Sequence, residues 1–125
     1  MNIVDSSGWL EYFADGPNAR AFLPPLRDAA RLLVPVVTIY EVFKVILRES
    51  TENEALEAAA AMQKGTVVNV TGTIALAAAR LSVEFKLPMA DILILATAHA
   101  YDATIWTQDV DFRSIAGVKY FARKK

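Results

Sequence analysis

An open, parallel α/β sheet is the fold class that this sequence predicts, and three observations lead to it. Short apolar runs recur along the chain, and helical patterns fill the intervals between them. No internal repeat, low-complexity tract or linker interrupts the alternation. Strands separated by helices pair in parallel, because a helical crossover returns the chain to the same edge of the sheet.

The elements follow in order. Asn2-Ile3-Val4-Asp5 reads as a short buried strand. Ser6 to Ala14 follows as a helix with Trp9, Leu10 and Phe13 on one face, and Asp15-Gly16-Pro17 breaks it. Asn18 to Ala30 is expected to be helical, with a kink or end near Pro24-Pro25. Leu32 to Val37 reads as a second strand, although Pro35 has no N–H to give the ladder. Thr38 to Glu49 is a helix, and Glu52 to Lys64 another, rich in alanine and closed by Gly65 as a C-cap. Thr66 to Val70 is a third strand, Gly72 to Leu87 a helix ended by Pro88, and Ala90 to Tyr101 the next helix. Ala103 to Thr107 is a fourth strand, Asp109 to Ser114 a short helical turn, and Val118 to Phe121 a fifth strand.

A chain of 125 residues is expected to be a single domain over 1–125 with a core of its own. It has no cysteine, which excludes disulfides and thiolate metal sites. Met1 to Asp5 lacks the basic and apolar stretches of a signal peptide. The longest uncharged run, Gly65 to Ala79, is too short to span a bilayer, so a soluble, cytoplasmic protein with no membrane partner is expected. Hydrophobic residues make up 54% and mean hydropathy is +0.30, high enough that a partner or a second copy is expected to cover part of the surface.

In open α/β sheets the ligand site lies beyond the C-terminal ends of the strands. Three acids stand there: Asp5 ends the first strand, Asp109 follows the fourth, and Glu41 lies in the first turn of the helix after the second. Glu41 is embedded among Ile39, Tyr40, Val42, Phe43, Val45, Ile46 and Leu47, apolar nearly all the way round, as in a helix buried on most sides. Asp91 is the only charged residue between Lys86 and Asp102. A buried carboxylate needs a partner, which can be Arg, Lys or a metal cation.

Taken singly, each acid has a simpler reading as a helix cap. Thr38-x-x-Glu41 matches a capping box, Asp91 can satisfy first-turn amides, and Asp5 and Asp109 can each cap the helix that follows. Taken together, acids at four helix starts converge on one edge of the sheet. Packed carboxylates repel unless a cation neutralises them, and hard divalent ions such as magnesium prefer oxygen ligands. Those are the requirements of metal-assisted phosphodiester hydrolysis. Net charge gives this reading no help. With 13 basic and 14 acidic residues the chain stands at −1, whereas a protein that binds nucleic acid by affinity alone is usually basic.

Other polar and aromatic residues have plainer explanations. His99, the only histidine, is expected to be a partly buried, satisfied side chain. Trp9, Tyr12 and Phe13 can stack on bases but at helical spacing belong to a core or an interface. Lys44, one turn after Glu41, can pair with it. Arg113, the acidic stretch Glu49 to Glu57 and the ending Arg123-Lys124-Lys125 read as solvated, with a weak phosphate contact as the second reading for the ending.

Four stretches carry a resemblance to a known family. Ile3-Val4-Asp5-Ser6-Ser7, Thr38-Ile39-Tyr40-Glu41-Val42, the run Leu87-Pro88-Met89-Ala90-Asp91 continuing to Ala98, and Trp106-Thr107-Gln108-Asp109-Val110-Asp111-Phe112 resemble, in order and spacing, the motifs of the PIN domain family. Within that family the likeness is to the VapC-type toxins of prokaryotic toxin–antitoxin pairs, and it covers the whole chain. The last two stretches are fairly specific and the first two weak alone. The third carries bulky Ile and Leu where small residues are common. The resemblance implies a PIN-like three-layer sandwich, a five-stranded parallel sheet flanked by helices. It implies RNA cleavage dependent on magnesium or manganese, a homodimer, and a cognate antitoxin that blocks the site. It implies Asp5, Glu41, Asp91 and Asp109 as the catalytic, metal-binding set, with Asp111 supporting a second metal or the loop. Ser6 and Thr107 would orient metal-bound water through their hydroxyls.

Two other classes compete. A receiver-like phosphoacceptor switch has the same size and fold class, but needs an aspartate ending the third strand, where this chain has Val70-Thr71-Gly72. A catalytically inactive protein-binding module would use the acids as caps and the apolar helices as a docking surface. No residue pattern separates RNA from DNA as substrate, so that preference rests on the resemblance.

Overall fold

The computed structural model describes residues 1–124. Lys125, the last residue of the basic ending, lies outside the described residues. Strands β1 (Asn2–Val4), β2 (Leu32–Pro35), β3 (Thr66–Val68), β4 (Thr104–Thr107) and β5 (Val118–Tyr120) form one sheet in the order β3-β2-β1-β4-β5. Every pairing is parallel, with Ile3 beside Leu33 on one side and Ile105 on the other. The chain moves outward from β1 to β2 and β3, then crosses back to β4 and β5. The strand order therefore reverses at the β1/β4 boundary, where a crevice opens at the strand ends.

Side-chain alternation divides the core into two clusters. Ile3, Leu33, Val68 and Ile105 face helices α5 (Gly72–Glu84) and α6 (Met89–Tyr101). Val4, Leu32, Val34 and Trp106 face α1 (Ser6–Phe13), α3 (Val36–Glu49) and α4 (Glu52–Met62). The result is the expected sandwich of three layers. Gly8 brings α1 against β1: a Cβ there would lie 2.6 Å from Val4 Cγ1 and 2.8 Å from the Phe22 ring.

Several local expectations need correction. The stretch Asn18 to Ala30 is not one kinked helix. It is 3-10 turns at Ala19–Phe22 and Ala29–Arg31 around a four-residue helix α2 (Leu23–Leu26), because Pro24 and Pro25 fit only a first helical turn. Val36 and Val37 belong to α3, not to β2. Thr38 is consequently inside the helix, its hydroxyl donates to the Pro35 carbonyl at 2.7 Å, and no capping box forms. Gly65 is not the C-cap of α4, which ends at Met62 with Gln63 in that role. Its value is close packing, since a Cβ there would stand 2.9 Å from the Leu32 carbonyl oxygen. Nor is α3 buried on most sides: Tyr40 is 62% exposed and Leu47 also faces out, because α3 packs against β2, α1, α4 and α6 and leaves its remaining face to solvent. No described helix is long and apolar enough to cross a membrane.

Candidate metal centre

The C-terminal end of β1 delivers Asp5 into the crevice, 2% exposed. Its carboxylate is held on both oxygens. Ser7 Oγ donates to Oδ1 at 2.7 Å, the Gly8 N–H to the same oxygen at 3.1 Å, and Thr107 Oγ1 to Oδ2 at 2.7 Å. Each hydroxyl is oriented in turn by a backbone donor from the segment after β4: Gln108 N–H donates to Ser7 Oγ and Asp109 N–H to Thr107 Oγ1. Three donors favour the charged form, yet burial outweighs them and lifts the Asp5 carboxyl from 3.8 to about 6.

Asp91 enters from the first turn of α6, 9% exposed. Unlike Asp5 it caps nothing: α6 begins after Pro88 with no side-chain cap. Burial first, and then repulsion from Asp109, Asp5, Glu41 and Asp111, push its carboxyl from 3.8 to about 7. All four other acids therefore act on the same point. Asp91, Asp109 and Asp111 each offer an oxygen within 4.8 Å of the others. Asp109 and Asp111 come from the turn after β4, where the Asp111 N–H donates to Asp109 Oδ1 at 2.9 Å and fixes that carboxylate. Glu41 reaches over from α3 and accepts a hydrogen bond from Ser6 Oγ at 2.5 Å.

No arginine or lysine forms a salt bridge with this cluster among the described residues; the two salt bridges found, Arg31–Asp28 and Arg48–Glu49, are elsewhere. Lys44, the candidate partner of Glu41, instead lies over the Tyr40 ring. A group of carboxylates, two of them raised in pKa chiefly by burial, with no salt-bridged protein cation among the described residues, fits a hard divalent ion. The simple capping reading holds in part, since Asp5 caps α1 and Asp109 caps the turn at Val110–Phe112. It fails for Glu41 and Asp91, which accept no hydrogen bond from a helix amide.

The structure thus gathers Asp5, Glu41, Asp91, Asp109 and Asp111 around one crevice. The Ser6 and Thr107 hydroxyls donate to the carboxylates of Glu41 and Asp5 themselves. Ser7, Gln108 and Asn18 were not anticipated. Asn18, buried beneath α1, donates through Nδ2 to Gln108 Oε1 at 3.0 Å and to the Ala122 carbonyl at 2.9 Å. Ser7 had a visible signal, two residues beyond an N-capping aspartate, but the Asn18–Gln108 pair joins positions 90 apart and has none. His99 is exposed and outside the site, not partly buried, because α6 turns that position to solvent. Trp9 is core, stacked on Phe13, while Arg113, Arg123 and Lys124 are exposed.

A model of the PIN domain matches residues 3–118. Among solved structures, the chain is similar to a toxin–antitoxin complex from Klebsiella pneumoniae, with a TM-score of 0.79 and 23% identity over 95% of this chain and 96% of that one. It is similar to the toxin VapC20 from Mycobacterium tuberculosis, described as cleaving the sarcin–ricin loop, with a TM-score of 0.79 and 17% identity over 94% and 97%. VapBC2 from Rickettsia felis, bound to a DNA fragment from its promoter, gives a TM-score of 0.75 and 11% identity over 95% and 97%. No curated protein matches the sequence. At these identities the likeness to the solved structures speaks for the fold.

Proposed function

The chain belongs to the PIN domain family, and from that premise we propose that residues 1–125 form a single nuclease domain, a VapC-like toxin that hydrolyses RNA phosphodiester bonds with magnesium or manganese. The observation that carries the reading is the carboxylate cluster, which has no salt-bridged cation among the described residues. Asp91, Asp109 and Asp111 are the residues that would hold an ion, with Asp5 and Glu41 completing its surroundings. An ion held by these residues would supply Lewis-acid polarisation of a phosphate oxygen and activation of a water. The chain supplies orientation. Ser7 and Thr107 fix both oxygens of Asp5, Ser6 fixes Glu41, and the Asp111 amide fixes Asp109. Such support commonly contributes a factor of about 10–100 in metal affinity or activity.

The RNA substrate, a cognate antitoxin, a homodimer and a cytoplasmic setting are parts of the same proposal. The Klebsiella structure, a toxin–antitoxin complex, supports a protein partner. Exposed apolar side chains such as Val83, Leu76, Tyr40 and Met89 support an assembly larger than one chain. A receiver-like switch is disfavoured, since β3 leads to Asn69-Val70-Thr71 with no acid at its end.

The test is incubation of the purified chain with a mixture of single-stranded and structured RNA, with magnesium, manganese or EDTA, beside an Asp91→Asn preparation. Metal-dependent cleavage that vanishes in the variant is the expected result. Equal cleavage by both proteins would refute the assignment of the site, and no cleavage together with no metal binding by either would favour the inactive module.

A further inference from the structure

Gln108 joins the two segments that carry the first and the last acids. Asp5 and Ser7 stand at the start of α1, and Thr107 and Asp109 at and just after the end of β4. Gln108 lies between the latter two in the chain and grips Ser7 twice. Its backbone N–H donates to Ser7 Oγ at 3.2 Å, and its Nε2 donates to the Ser7 carbonyl at 3.4 Å. A hydroxyl has one proton to give. Ser7 Oγ accepts from the Gln108 N–H and Thr107 Oγ1 from the Asp109 N–H, so both hydroxyl protons are left for Asp5, which they reach at 2.7 Å each.

Asn18 holds the far end of the Gln108 side chain. Its Nδ2 donates to Gln108 Oε1 at 3.0 Å and to the Ala122 carbonyl at 2.9 Å, while its own N–H donates to Glu11 Oε2 at 2.7 Å. Phe121 closes the same region by donating its N–H to the Thr107 carbonyl at 2.9 Å. Turning either amide over would set donor against donor or oxygen against oxygen, so one arrangement satisfies both. Asn18 and Gln108 are each 3% exposed. Apolar side chains of similar size would fill this space without the cost of burying two amides. A satisfied polar network gives in exchange a single geometry, where apolar contact alone allows several.

We propose that Gln108 and Asn18 are positioning residues of the metal centre: the buried amide pair keeps the Ser7 hydroxyl on Asp5 and sets the Asp5 carboxylate relative to Asp109. Neither side chain bonds to any of the five acids. Each acts through Ser7 and through the backbone that joins Thr107 to Asp109, so a turn of that backbone moves the hydroxyl on Asp5 and the Asp109 carboxylate together. The proposal rests on the metal-centre reading and is independent of which nucleic acid is cut.

The experiment is calorimetric titration of manganese into the protein without RNA, well below its melting temperature, with cleavage kinetics on the same samples. The variants are Gln108→Leu, Asn18→Ala and the two combined. Gln108→Leu keeps the backbone N–H and most of the volume and removes only the side-chain donor and acceptor. Each single variant should weaken manganese binding by about 10–100-fold, the scale of a lost partner of a metal ligand. The double variant should lose little more than the worse single one, because both changes break one network. On RNA, kcat should fall with KM little changed. Thr97→Val is the control, since it removes a buried hydroxyl bonded to the Leu93 carbonyl of its own helix. It should lower the melting temperature and leave manganese affinity at the parent value. A purely structural role would make Gln108→Leu behave in the same way, and a folded Gln108→Leu that binds manganese as the parent does overturns the proposal. Gln108→Leu decides alone if Asn18→Ala fails to fold. No manganese binding by the parent overturns the proposal too. A parent that cuts no RNA while the affinity difference stands sinks the nuclease reading and leaves the positioning role in place.

Discussion

Replacing Asp91 with asparagine should make the metal-free protein more stable. The side chain is 9% exposed, and burial with four neighbouring acids lifts its carboxyl from 3.8 to about 7. An unfolded chain carries this acid near 3.8. Below that pH both states hold the proton and the group costs nothing. Between about 4 and 7 the folded state keeps a proton that the unfolded state has released, so folding stability falls as pH rises through this window. Above about 7 both states are ionised and the full penalty is present. Three pH units at 1.36 kcal/mol each give about 4 kcal/mol as the upper end, and about 2–4 kcal/mol is a fair range for a cluster that can relax. For a domain of this length that is roughly 6–15 °C in melting temperature. The assay is thermal denaturation by circular dichroism in EDTA from pH 4 to 8, for parent and Asp91→Asn. The two curves should meet near pH 4 and separate toward pH 8, with the variant higher. Manganese should then stabilise the parent and leave the variant nearly unmoved, because a bound ion stabilises only the state that binds it. A variant that melts at or below the parent at pH 8 in EDTA would refute the reasoning, since Asp91 would then have a satisfying partner and no unpaired charge.

Other expectations follow from the same geometry. Glu41→Gln should leave the melting temperature in EDTA within about 2 °C of the parent while lowering manganese affinity in a calorimetric titration; a loss of helix stability would mean that Glu41 caps α3 after all. Thr107→Val removes the donor to Asp5 and the acceptor for the Asp109 N–H from a fully buried position, so it should destabilise by about 1–3 kcal/mol in a urea titration and reduce cleavage by about 10–100-fold. Ser7→Ala should reduce metal affinity in the same direction, because it removes a hydroxyl donor from Asp5 Oδ1. Gly8→Ala forces a methyl group to within 2.6 Å of Val4 and 2.8 Å of Phe22, and should cost about 1–3 kcal/mol of stability by denaturant unfolding; an unchanged midpoint would show that α1 can slide.

The sheet was legible because its strands are short apolar runs set apart by helix-forming stretches, and all five were found. The boundary at Pro35 was not, because Leu32 to Val37 is uniformly apolar and such a run has no period to tell strand from helix. That error carried the capping box with it, since Thr38 precedes the helix in one reading and lies inside it in the other. Asn18 to Ala30 misled for a related reason: Pro24 and Pro25 were visible, but not whether they start a helix or end one. The acids were legible as a set because each stands at an element junction in apolar surroundings. What supports them was not. Ser7, Gln108 and Asn18 meet only through tertiary pairing, and hydrogen bonds between positions about 90 and 101 residues apart leave no local pattern. The face that α6 turns to solvent, and with it the exposure of His99, is decided by packing against α5 and the sheet.

The reversal of strand order at β1/β4 has a consequence in time as well as in space. Asp5 leaves the ribosome well before the residue whose hydroxyl holds its second oxygen, which lies 102 positions later. Asp91, Asp109 and Asp111 all come from the last third of the chain. Contacts so far apart in sequence form late, because a long loop must close before they are rewarded. A nascent chain truncated anywhere before β4 therefore carries the first acid but no centre. Premature termination yields fragments that cannot assemble the cluster, and the constellation comes into being only once the segment carrying Asp109 and Asp111 is free to fold.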